Sequence, residues 1–348
     1  MKQLSKLPIP ALGWYRENAR VLPWRTQQTP YRVWLSEVML QQTRVAAVLD
    51  YYRRFLAAVP TIDALAQLPE GQLMKLWQGL GYYSRARNLQ RAAQQIVDHF
   101  GGVFPSSYTD IRSLHGVGDY TAGAISSICF GLPVAAVDGN VLRLTARICG
   151  DDGDITTPAM KKKVTHALEQ IILLDAPGDF NQALMELGAL ICLPNGAPLC
   201  HTCPAASFCR ANLEGRTGEL PVKAAKKARR IEGRTVYLLY HKNCVALRRR
   251  PAKGLLAGLW EYPNECPDGG EGPILQQLPP VRLSPAGTGK HIFTHIEWHM
   301  SALTGELDDP TLPDGWVWAD RADLRDTYAL PNAFSAFADR VADRLGHF

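Results

Sequence analysis

The sequence has no apolar run of the roughly 18 residues that a membrane-spanning helix needs, no low-complexity block and no internal repeat. Its first residues, MKQLSKLPIPALGWYREN, turn polar before the apolar part of a secretory signal could form. These absences argue against membrane-spanning, secreted and repeat proteins. Apolar residues make up 46% of the 348 residues and charged residues 20%, so we expect a soluble, intracellular protein of about two domains.

Positive charge is unevenly distributed. The net charge is +5, yet the stretch 216–253 holds twelve Lys or Arg residues and two Glu residues. Such a block is typical of a solvated linker. It is equally typical of a surface that attracts a polyanion such as DNA, and the sequence leaves both interpretations open.

The first half has helical periodicity interrupted by Pro and Gly, and the second half alternates. Helix-length segments are predicted near 31–57, 70–79, 84–99, 119–130, 138–149, 157–174 and 178–191. A basic, Gly- and Pro-containing stretch at 215–234 indicates a linker. Beyond it we predict a hairpin around His241 to Asn243, a strand across 291–303 and a closing helix near 332–345. The predicted organisation is thus an all-α region, 1–214, followed by an α+β domain, 235–348.

Four of the eight cysteines fall within eighteen residues, Cys192, Cys200, Cys203 and Cys209. A disulfide framework is disfavoured in a large chain without a secretory signal, so metal ligation is the better interpretation. The spacing Cys-x7-Cys-x2-Cys-x5-Cys contains one short pair rather than two, which leaves zinc and a [4Fe–4S] cluster both open. The others, Cys129, Cys149, Cys244 and Cys266, are expected to be buried apolar residues.

Two carboxylates stand in unusual contexts. In VWLSEVMLQQT, 33–43, a helix would offer Glu37 no polar face. In VDGNVLR, Asp138 opens a predicted helix, and a capping role alone would explain it. A Gly-x-Gly turn in LHGVGDYTAGAI, 114–125, could direct backbone N–H groups at a phosphate, although an ordinary turn explains it as well.

Taken together, these motifs resemble those of the MutY-type adenine DNA glycosylases, which belong to the helix-hairpin-helix glycosylases that carry an iron–sulfur cluster. The resemblance covers nearly the whole chain, in the right order. It rests on LPWR (22–25), SEVMLQQT (36–43), GLGYYSRARNL (79–89), LHGVGDYTAGAI (114–125), VDGNVLR (137–143), FNQALMELGALIC (180–192) and the four cysteines.

The resemblance implies a fold and a cofactor. The fold would be a helical glycosylase region with a helix-hairpin-helix near 108–130, an iron–sulfur loop at 192–209 and a Nudix-like 8-oxoguanine-recognition domain. The four clustered cysteines would hold a [4Fe–4S] cluster, although their first gap has seven residues where the family usually has six. The stretch GLLAGLWEYPNE, 254–265, is similar to Nudix domains but lacks their acidic box, which indicates recognition rather than hydrolysis.

The implied activity is hydrolysis of the N-glycosidic bond of adenine mispaired with 8-oxoguanine or guanine in double-stranded DNA, after the nucleotide is flipped out. The protein would act as a monomer. Glu37 matches the general acid, and apolar neighbours would keep it protonated. Asp138 matches the carboxylate that stabilises the positively charged sugar. Tyr120 and Asn140 would position these two carboxylates.

The resemblance also assigns binding roles. The adenine pocket would be lined by Trp24, Arg25, Gln42 and Glu186. Gln41 and Tyr82 would insert into the duplex, Thr43 and Leu80 would touch the opposite base, and Gly116 and Gly118 would meet a phosphate. The loop that senses 8-oxoguanine would be Phe293, Thr294 and His295, with Thr in place of the family's Ser.

Three hypotheses follow. The first is a monofunctional adenine glycosylase, because Tyr120 stands where lyase-competent relatives such as endonuclease III have a Schiff-base lysine. The second is an endonuclease III-like glycosylase for oxidised pyrimidines, which Tyr120 and the C-terminal domain disfavour. The third is a non-catalytic, metal-bearing DNA-binding protein, in which Glu37 and Asp138 are structural.

Overall fold

The computed structural model describes residues 2–225, 228–266 and 274–346 and forms two compact units. One unit comprises Met1–Gln67 and Asn88–Ala225, and the other comprises Leu68–Arg87 and Lys226–Phe348. The segment 68–87, predicted as part of the helical region, therefore groups with the C-terminal unit. Residues 226 and 227 of the predicted linker lie outside the described residues.

The N-terminal two-thirds of the chain is helical, as predicted. After a short 3-10 turn at Lys2–Lys6, the helices are α1 (Pro8–Asn18), α2 (Pro23–Thr26), α3 (Pro30–Leu40), α4 (Val45–Ala58), α5 (Ile62–Gln67), α6 (Glu70–Trp77), α7 (Ser84–Phe100), α8 (Tyr108–Ser113), α9 (Asp119–Phe130), α10 (Gly139–Cys149), α11 (Pro158–Glu169), α12 (Pro177–Leu190) and α13 (Arg210–Leu213). Among the described residues, no helix is both long and apolar enough to cross a membrane.

The predicted single helix at 31–57 is wrong, because the chain turns between α3 and α4. Thr29 caps the start of α3 by accepting a hydrogen bond from the Arg32 N–H, and Pro30 occupies the first turn. The helix ends at Leu40, and Gln42 adopts a φ of 59°, which no right-handed helix allows. Gln41, Gln42 and Thr43 thus lie in a turn rather than on the helix that carries Glu37.

The predicted helix-hairpin-helix is present as α8, a short turn and α9. Ser107 caps α8 by accepting from the Asp110 N–H at 3.1 Å. Gly116 has a φ of 74°, and a Cβ atom there would lie 2.6 Å from Asn88 Cβ. Gly118 is the N-cap residue of α9. Glycine is therefore required at position 116 for both conformation and space.

Helices α9 and α12 approach the segment around Asp138 very closely. A Cβ atom on Gly123 of α9 would lie 2.6 Å from the carbonyl oxygen of Ala135. One on Gly188 of α12 would lie 2.6 Å from Asn140 Cβ. The absence of side chains at these two positions lets two helices hold the backbone on either side of Asp138.

The C-terminal unit is built on a mixed sheet, which confirms the predicted α+β class. Strand order is β3-β2-β1-β6-β5, with β4 on β1 and β7 on β2, and only the β1–β6 pair is parallel among the described strands. The strands are β1 (Arg230–His241), β2 (Cys244–Arg249), β3 (Trp260–Glu261), β4 (Asn264–Glu265), β5 (Ser284–Ile292), β6 (Ile296–Glu306) and β7 (Trp316–Ala319). Helix α14 (Arg321–Asp326), a 3-10 turn (Asn332–Phe337) and α15 (Ala338–Arg344) follow.

One strand prediction and one linker prediction are wrong. The stretch 291–303 is not one strand, because β5 ends at Ile292 and β6 begins at Ile296, with Phe293, Thr294 and His295 in the intervening turn. The turn contains no Gly, Pro, Asn or Asp, so the sequence pattern gives no sign of the break. The linker predicted at 215–234 also overlaps β1. The hairpin around His241 to Asn243 is present as predicted.

We expect Gly123→Ala to destabilise the protein by about 1–3 kcal/mol, because the new methyl group would displace the Ala135 carbonyl. The matched control is Gly71→Ala in α6, where a Cβ atom would have no neighbour within 4 Å. That change should be neutral or stabilising by up to about 1 kcal/mol. Urea unfolding of both variants checks this, and equal stability of the two would contradict the close approach.

Candidate active site and cysteine cavity

Glu37 is a buried carboxyl group on α3 with an incomplete set of hydrogen bonds. Glu37 is 7% exposed, and its Oε2 atom has no hydrogen-bond partner among the described residues. Burial raises the pKa of Glu37 to about 7, with the Tyr120 hydroxyl and Arg25 opposing the shift and the nearby Asp138 charge adding to it. Glu37 therefore retains a proton over part of the neutral pH range.

Asp138 is a second carboxyl group, half-buried, with donors on both oxygens. It is the N-cap residue of α10, and its Oδ1 accepts from the Val141 N–H at 2.8 Å. Its Oδ2 accepts from Asn140 Nδ2, also at 2.8 Å. Burial raises the pKa of Asp138, and these hydrogen bonds and the Arg143 charge act against it. Donors on both oxygens favour the ionised form, in contrast to Glu37.

Tyr120 lies near both carboxyl groups. It is in the first turn of α9, and its hydroxyl donates to Met185 Sδ at 3.5 Å and interacts with the Glu37 carboxyl group. Burial, followed by the charges of Glu37 and Asp138, raises the pKa of Tyr120 well above its usual value. The phenol thus stays protonated and can donate to a neighbouring oxygen.

Asn140 is held in one orientation. Its Oδ1 accepts from Arg143 Nη2 at 2.9 Å, which turns its Nδ2 toward Asp138. Arg143 in turn donates to the carbonyl oxygens of Gly188 and Cys192, each at 2.7 Å. The predicted positioning partner of Asp138 is therefore anchored to α12 and to the residue that begins the cysteine loop.

The predicted adenine-pocket residues Arg25 and Glu186 are in contact. Arg25 Nη2 lies 3.0 Å from Glu186 Oε1, and Arg25 Nε donates to Gln182 Oε1 at 3.0 Å. Arg20 Nε also donates to Glu186 Oε2, at 2.9 Å. Burial favours a higher pKa for Glu186, but the hydrogen bonds from Arg20 and Arg25 outweigh burial, and the pKa of Glu186 is lowered.

Arg20 and Gln182 were not among the predicted site residues. A signal for Gln182 existed, since it lies four residues before Glu186 on the same face of a helix. No pattern marked Arg20. Of the other pocket candidates, Trp24 is buried with its ring against Tyr52, centroids 5.1 Å apart, and Gln42 lies in the turn after α3.

The predicted DNA-binding residues occupy turns. Gln41 and Thr43 flank Gln42 in the turn after α3, and Gly116 and Gly118 form the turn before α9. Leu80 is buried, whereas Tyr82 is 48% exposed with a φ of 47°.

The predicted 8-oxoguanine loop is the turn between β5 and β6. Thr294 and His295 are exposed, and the Thr294 hydroxyl lies 3.1 Å from the Tyr82 hydroxyl. Phe293 packs edge-on against Trp298 and His291, with ring centroids 4.8 and 4.6 Å apart. This loop therefore presents its polar residues to solvent, while its aromatic residue is partly taken up by the core.

The four clustered cysteines line one cavity. Arg147 Nη1 donates to Cys192 Sγ at 3.3 Å, and Arg147 Nε donates to the Leu220 carbonyl at 2.7 Å. Within the described part of the chain, no group of three or more His, Cys, Asp or Glu side chains could hold a metal ion. The cysteines thus surround a shared space rather than converge on one ion.

The long first gap between the cysteines is accommodated in an exposed loop. The Leu199 N–H donates to the Ile191 carbonyl at 2.9 Å and closes the loop at its base, while Gly196 turns with a φ of 73°. The remaining cysteines depart from expectation, since only Cys266 is fully buried. Those that are half-buried are Cys129, Cys149 and Cys244.

Two family models match the chain. Residues 35–171 match the HhH-GPD superfamily base excision DNA repair protein, and residues 234–340 match the NUDIX domain. A mouse adenine DNA glycosylase is 34% identical over 96% of this chain and 78% of its own length. The chain belongs to the adenine DNA glycosylase family. The predicted family is thereby confirmed, as is the prediction that the chain is a DNA glycosylase.

A second relative and two solved structures are also similar to this chain. The human adenine DNA glycosylase is 35% identical over 88% of this chain and 69% of that protein. A solved thermostable thymine-DNA glycosylase has a TM-score of 0.56 and 26% identity, covering 61% of this chain and 98% of its own. An endonuclease III–DNA complex has a TM-score of 0.53 at 22% identity, covering 62% and 97%, and supports the fold alone.

We expect the stability difference between Glu37→Gln and the wild type to grow in the variant's favour as pH rises. The raised pKa of Glu37 means that the folded protein binds an extra proton between its unfolded pKa of 4.5 and about 7. The stabilisation that this proton gives to the folded wild type is therefore fully present below about pH 4.5 and is lost as pH rises through about 7. Glutamine does not titrate, so the free energy of unfolding of the variant relative to the wild type should rise by about 3 kcal/mol by about pH 8.

Thermal or urea unfolding at about pH 5 and about pH 8 measures the change. The control is Glu17→Gln, at an exposed carboxyl group on α1. A Glu37→Gln difference that is the same at both pH values would contradict a proton-retaining Glu37.

Proposed function

We propose that this protein hydrolyses the N-glycosidic bond of adenine mispaired with 8-oxoguanine or guanine in double-stranded DNA. The observation that carries the proposal is a pair of carboxyl groups in different environments, Glu37 buried and Asp138 half-buried, with Tyr120 near both. Glu37 has an oxygen without a partner, whereas both oxygens of Asp138 accept hydrogen bonds. Such a difference divides acid and anion roles between two carboxyl groups.

Glu37 is proposed as the general acid. Adenine is a poor leaving group as an anion, so its departure requires a proton. A carboxyl group with a pKa of about 7 holds that proton near neutrality and transfers it readily. Once deprotonated, the same group can activate the water that attacks the sugar.

Asp138 is proposed to stabilise the sugar. Loss of the base leaves positive charge on the ring, and a fixed carboxylate lowers the energy of that charge. The N-cap role of Asp138 supports this, because the Val141 N–H holds one carboxylate oxygen while the group stays near Tyr120 and Glu37. Tyr120 cannot form a Schiff base, so we infer a monofunctional enzyme rather than a lyase.

The proposed adenine pocket includes Arg20, Arg25, Gln182 and Glu186. Two arginines on one carboxylate hold Glu186 ionised and oriented as a hydrogen-bond acceptor. An oriented acceptor of this kind suits the exocyclic amino group of adenine, which is a donor.

DNA contacts are proposed in the turns. Exposed Tyr82 is suited to insert beside an extruded base, and the polar turn of Gln41 to Thr43 is a separate candidate for contact with DNA. Exposed Thr294 and His295 offer hydrogen bonds to 8-oxoguanine, and the contact from Tyr82 to Thr294 supports a joint role for these residues. The acidic box of a Nudix hydrolase is absent, so we infer recognition without pyrophosphate hydrolysis.

The four clustered cysteines are proposed to hold a [4Fe–4S] cluster. Their shared cavity and the guanidinium of Arg147 beside Cys192 fit a cluster bound by thiolates, whose negative charge such a donor offsets. When bound, the cluster would contribute chiefly to folding and to orienting this part of the protein on DNA. Through its bonds to Cys192 Sγ and to the Leu220 carbonyl, Arg147 would link the first cysteine to the chain at Leu220.

We expect Glu37→Gln to keep its affinity for a mispaired duplex and to lose adenine excision by about 10²- to 10⁴-fold, because the proton donor is gone. Wild-type excision should fall as pH rises through about 7, since the protonated form is then lost. Single-turnover release is measured on duplexes with adenine opposite 8-oxoguanine, guanine, cytosine or thymine. Release should occur opposite the first two, faster opposite 8-oxoguanine.

Glu17→Gln again serves as the matched control and should excise normally. Comparable excision by Glu37→Gln would refute its role as the acid. Release of the damaged base from a further duplex that carries an oxidised pyrimidine, without release of adenine, would favour the endonuclease III-like alternative, and no release from any duplex would favour a non-catalytic protein.

We expect the purified protein to contain about four irons and four sulfides per chain. Cys200→Ser should lower both, because one thiolate ligand is removed. Cys244→Ser, outside the cavity, should leave them unchanged. Zinc in place of iron, or equal iron in both variants, would count against the cluster.

A further inference from the structure

We propose that Asn181 is a positioning residue that sets the location of the Asp138 carboxylate. It lies on α12 and is fully buried. The proposal rests on the proposed function, in which Asp138 stabilises positive charge on the sugar.

The side-chain amide of Asn181 binds the segment that leads into Asp138. Its Oδ1 accepts from the Ala136 N–H at 3.0 Å, and its Nδ2 donates to the Val134 carbonyl at 2.8 Å. An N–H and a C=O two residues apart are the groups that a neighbouring β-strand would satisfy. Asn181 therefore supplies the hydrogen bonds that a neighbouring strand would give to this buried, irregular segment, whose polar groups would otherwise lack partners.

This attachment is close to the reacting groups. Ala136 is two residues before Asp138, and the intervening Val137 is buried, so little slack separates the amide from the carboxylate. On the other side, α10 begins directly after Asp138 and fixes it as an N-cap. Asp138 is thus held between a capped helix and the Asn181 amide.

Two further contacts lie beside this attachment. Asn181 Nδ2 also donates to Ser127 Oγ at 2.9 Å, a third bond beside the two that already fix the orientation of the amide. Gly178, one turn earlier on α12, would place a Cβ atom 2.8 Å from the Ser127 carbonyl. That close approach brings the short side chain of Asn181 within reach of the segment.

The test compares binding of two duplexes, each with 8-oxoguanine opposite the altered nucleotide. One carries a cationic pyrrolidine in place of the sugar and base, and the other carries a neutral tetrahydrofuran. A correctly placed carboxylate favours the cation, as it favours the charged transition state. The ratio of the two Kd values therefore reports carboxylate placement, whereas a general loss of folding lowers both affinities together.

We expect Asn181→Leu to reduce the preference for the cationic duplex about tenfold and single-turnover excision about 10- to 100-fold, with neutral-duplex affinity kept. Ser127→Ala is the matched control: it removes the third partner of Asn181, leaves both bonds to the segment and should change neither quantity. Asn181→Asp, of nearly the same shape, loses donation to Val134 and should show the same direction of change if Asn181→Leu does not fold.

The outcomes separate this inference from the proposed function. If Asp138→Asn leaves the preference for the cation unchanged, the role of Asp138 is wrong. If Asp138→Asn lowers the preference and the Asn181 variants do not, only the positioning role of Asn181 is wrong. Loss of neutral-duplex binding by both Asn181 variants would also overturn it, because Asn181 would then be a general structural residue.

Discussion

The structure depends on keeping two carboxyl groups, one buried and one half-buried, near each other in different environments. A buried carboxylate without donors is strongly disfavoured, and two adjacent carboxylates repel. The protein resolves this by giving both oxygens of Asp138 hydrogen-bond donors while leaving Glu37 Oε2 without one. One proton then resides mainly on Glu37, and a chemically useful asymmetry follows from the placement of a few N–H groups.

That asymmetry requires backbones that approach unusually closely. Glu37 is on α3, Tyr120 on α9, Asp138 at the start of α10 and Glu186 on α12, so four helices must meet around a small volume. Gly123 and Gly188 allow α9 and α12 to touch the segment on either side of Asp138. The packing is therefore itself part of the site, because a methyl group at either position would move the carboxylate.

The chemistry was more predictable from sequence than the supporting contacts were. Glu37 stood out because an acid within an apolar helix contradicts the local pattern, and Asp138 because it precedes a helix. The turn at Gln41 to Thr43 carries no Gly or Pro, so periodicity ran through it. Arg20 and Asn181 act only through partners distant in the chain, and no local pattern encodes a contact between residues 20 and 186 or between residues 136 and 181.

Asp138 shows why a structural role does not argue against a functional one. As an N-cap it needs an oxygen that accepts from the Val141 N–H, and asparagine meets that need about as well. Its charge is not required by the cap, and burial makes that charge costly. A half-buried carboxylate where a neutral amide would cap the helix equally well is best explained by the charge itself, which the proposed oxocarbenium-like sugar would use.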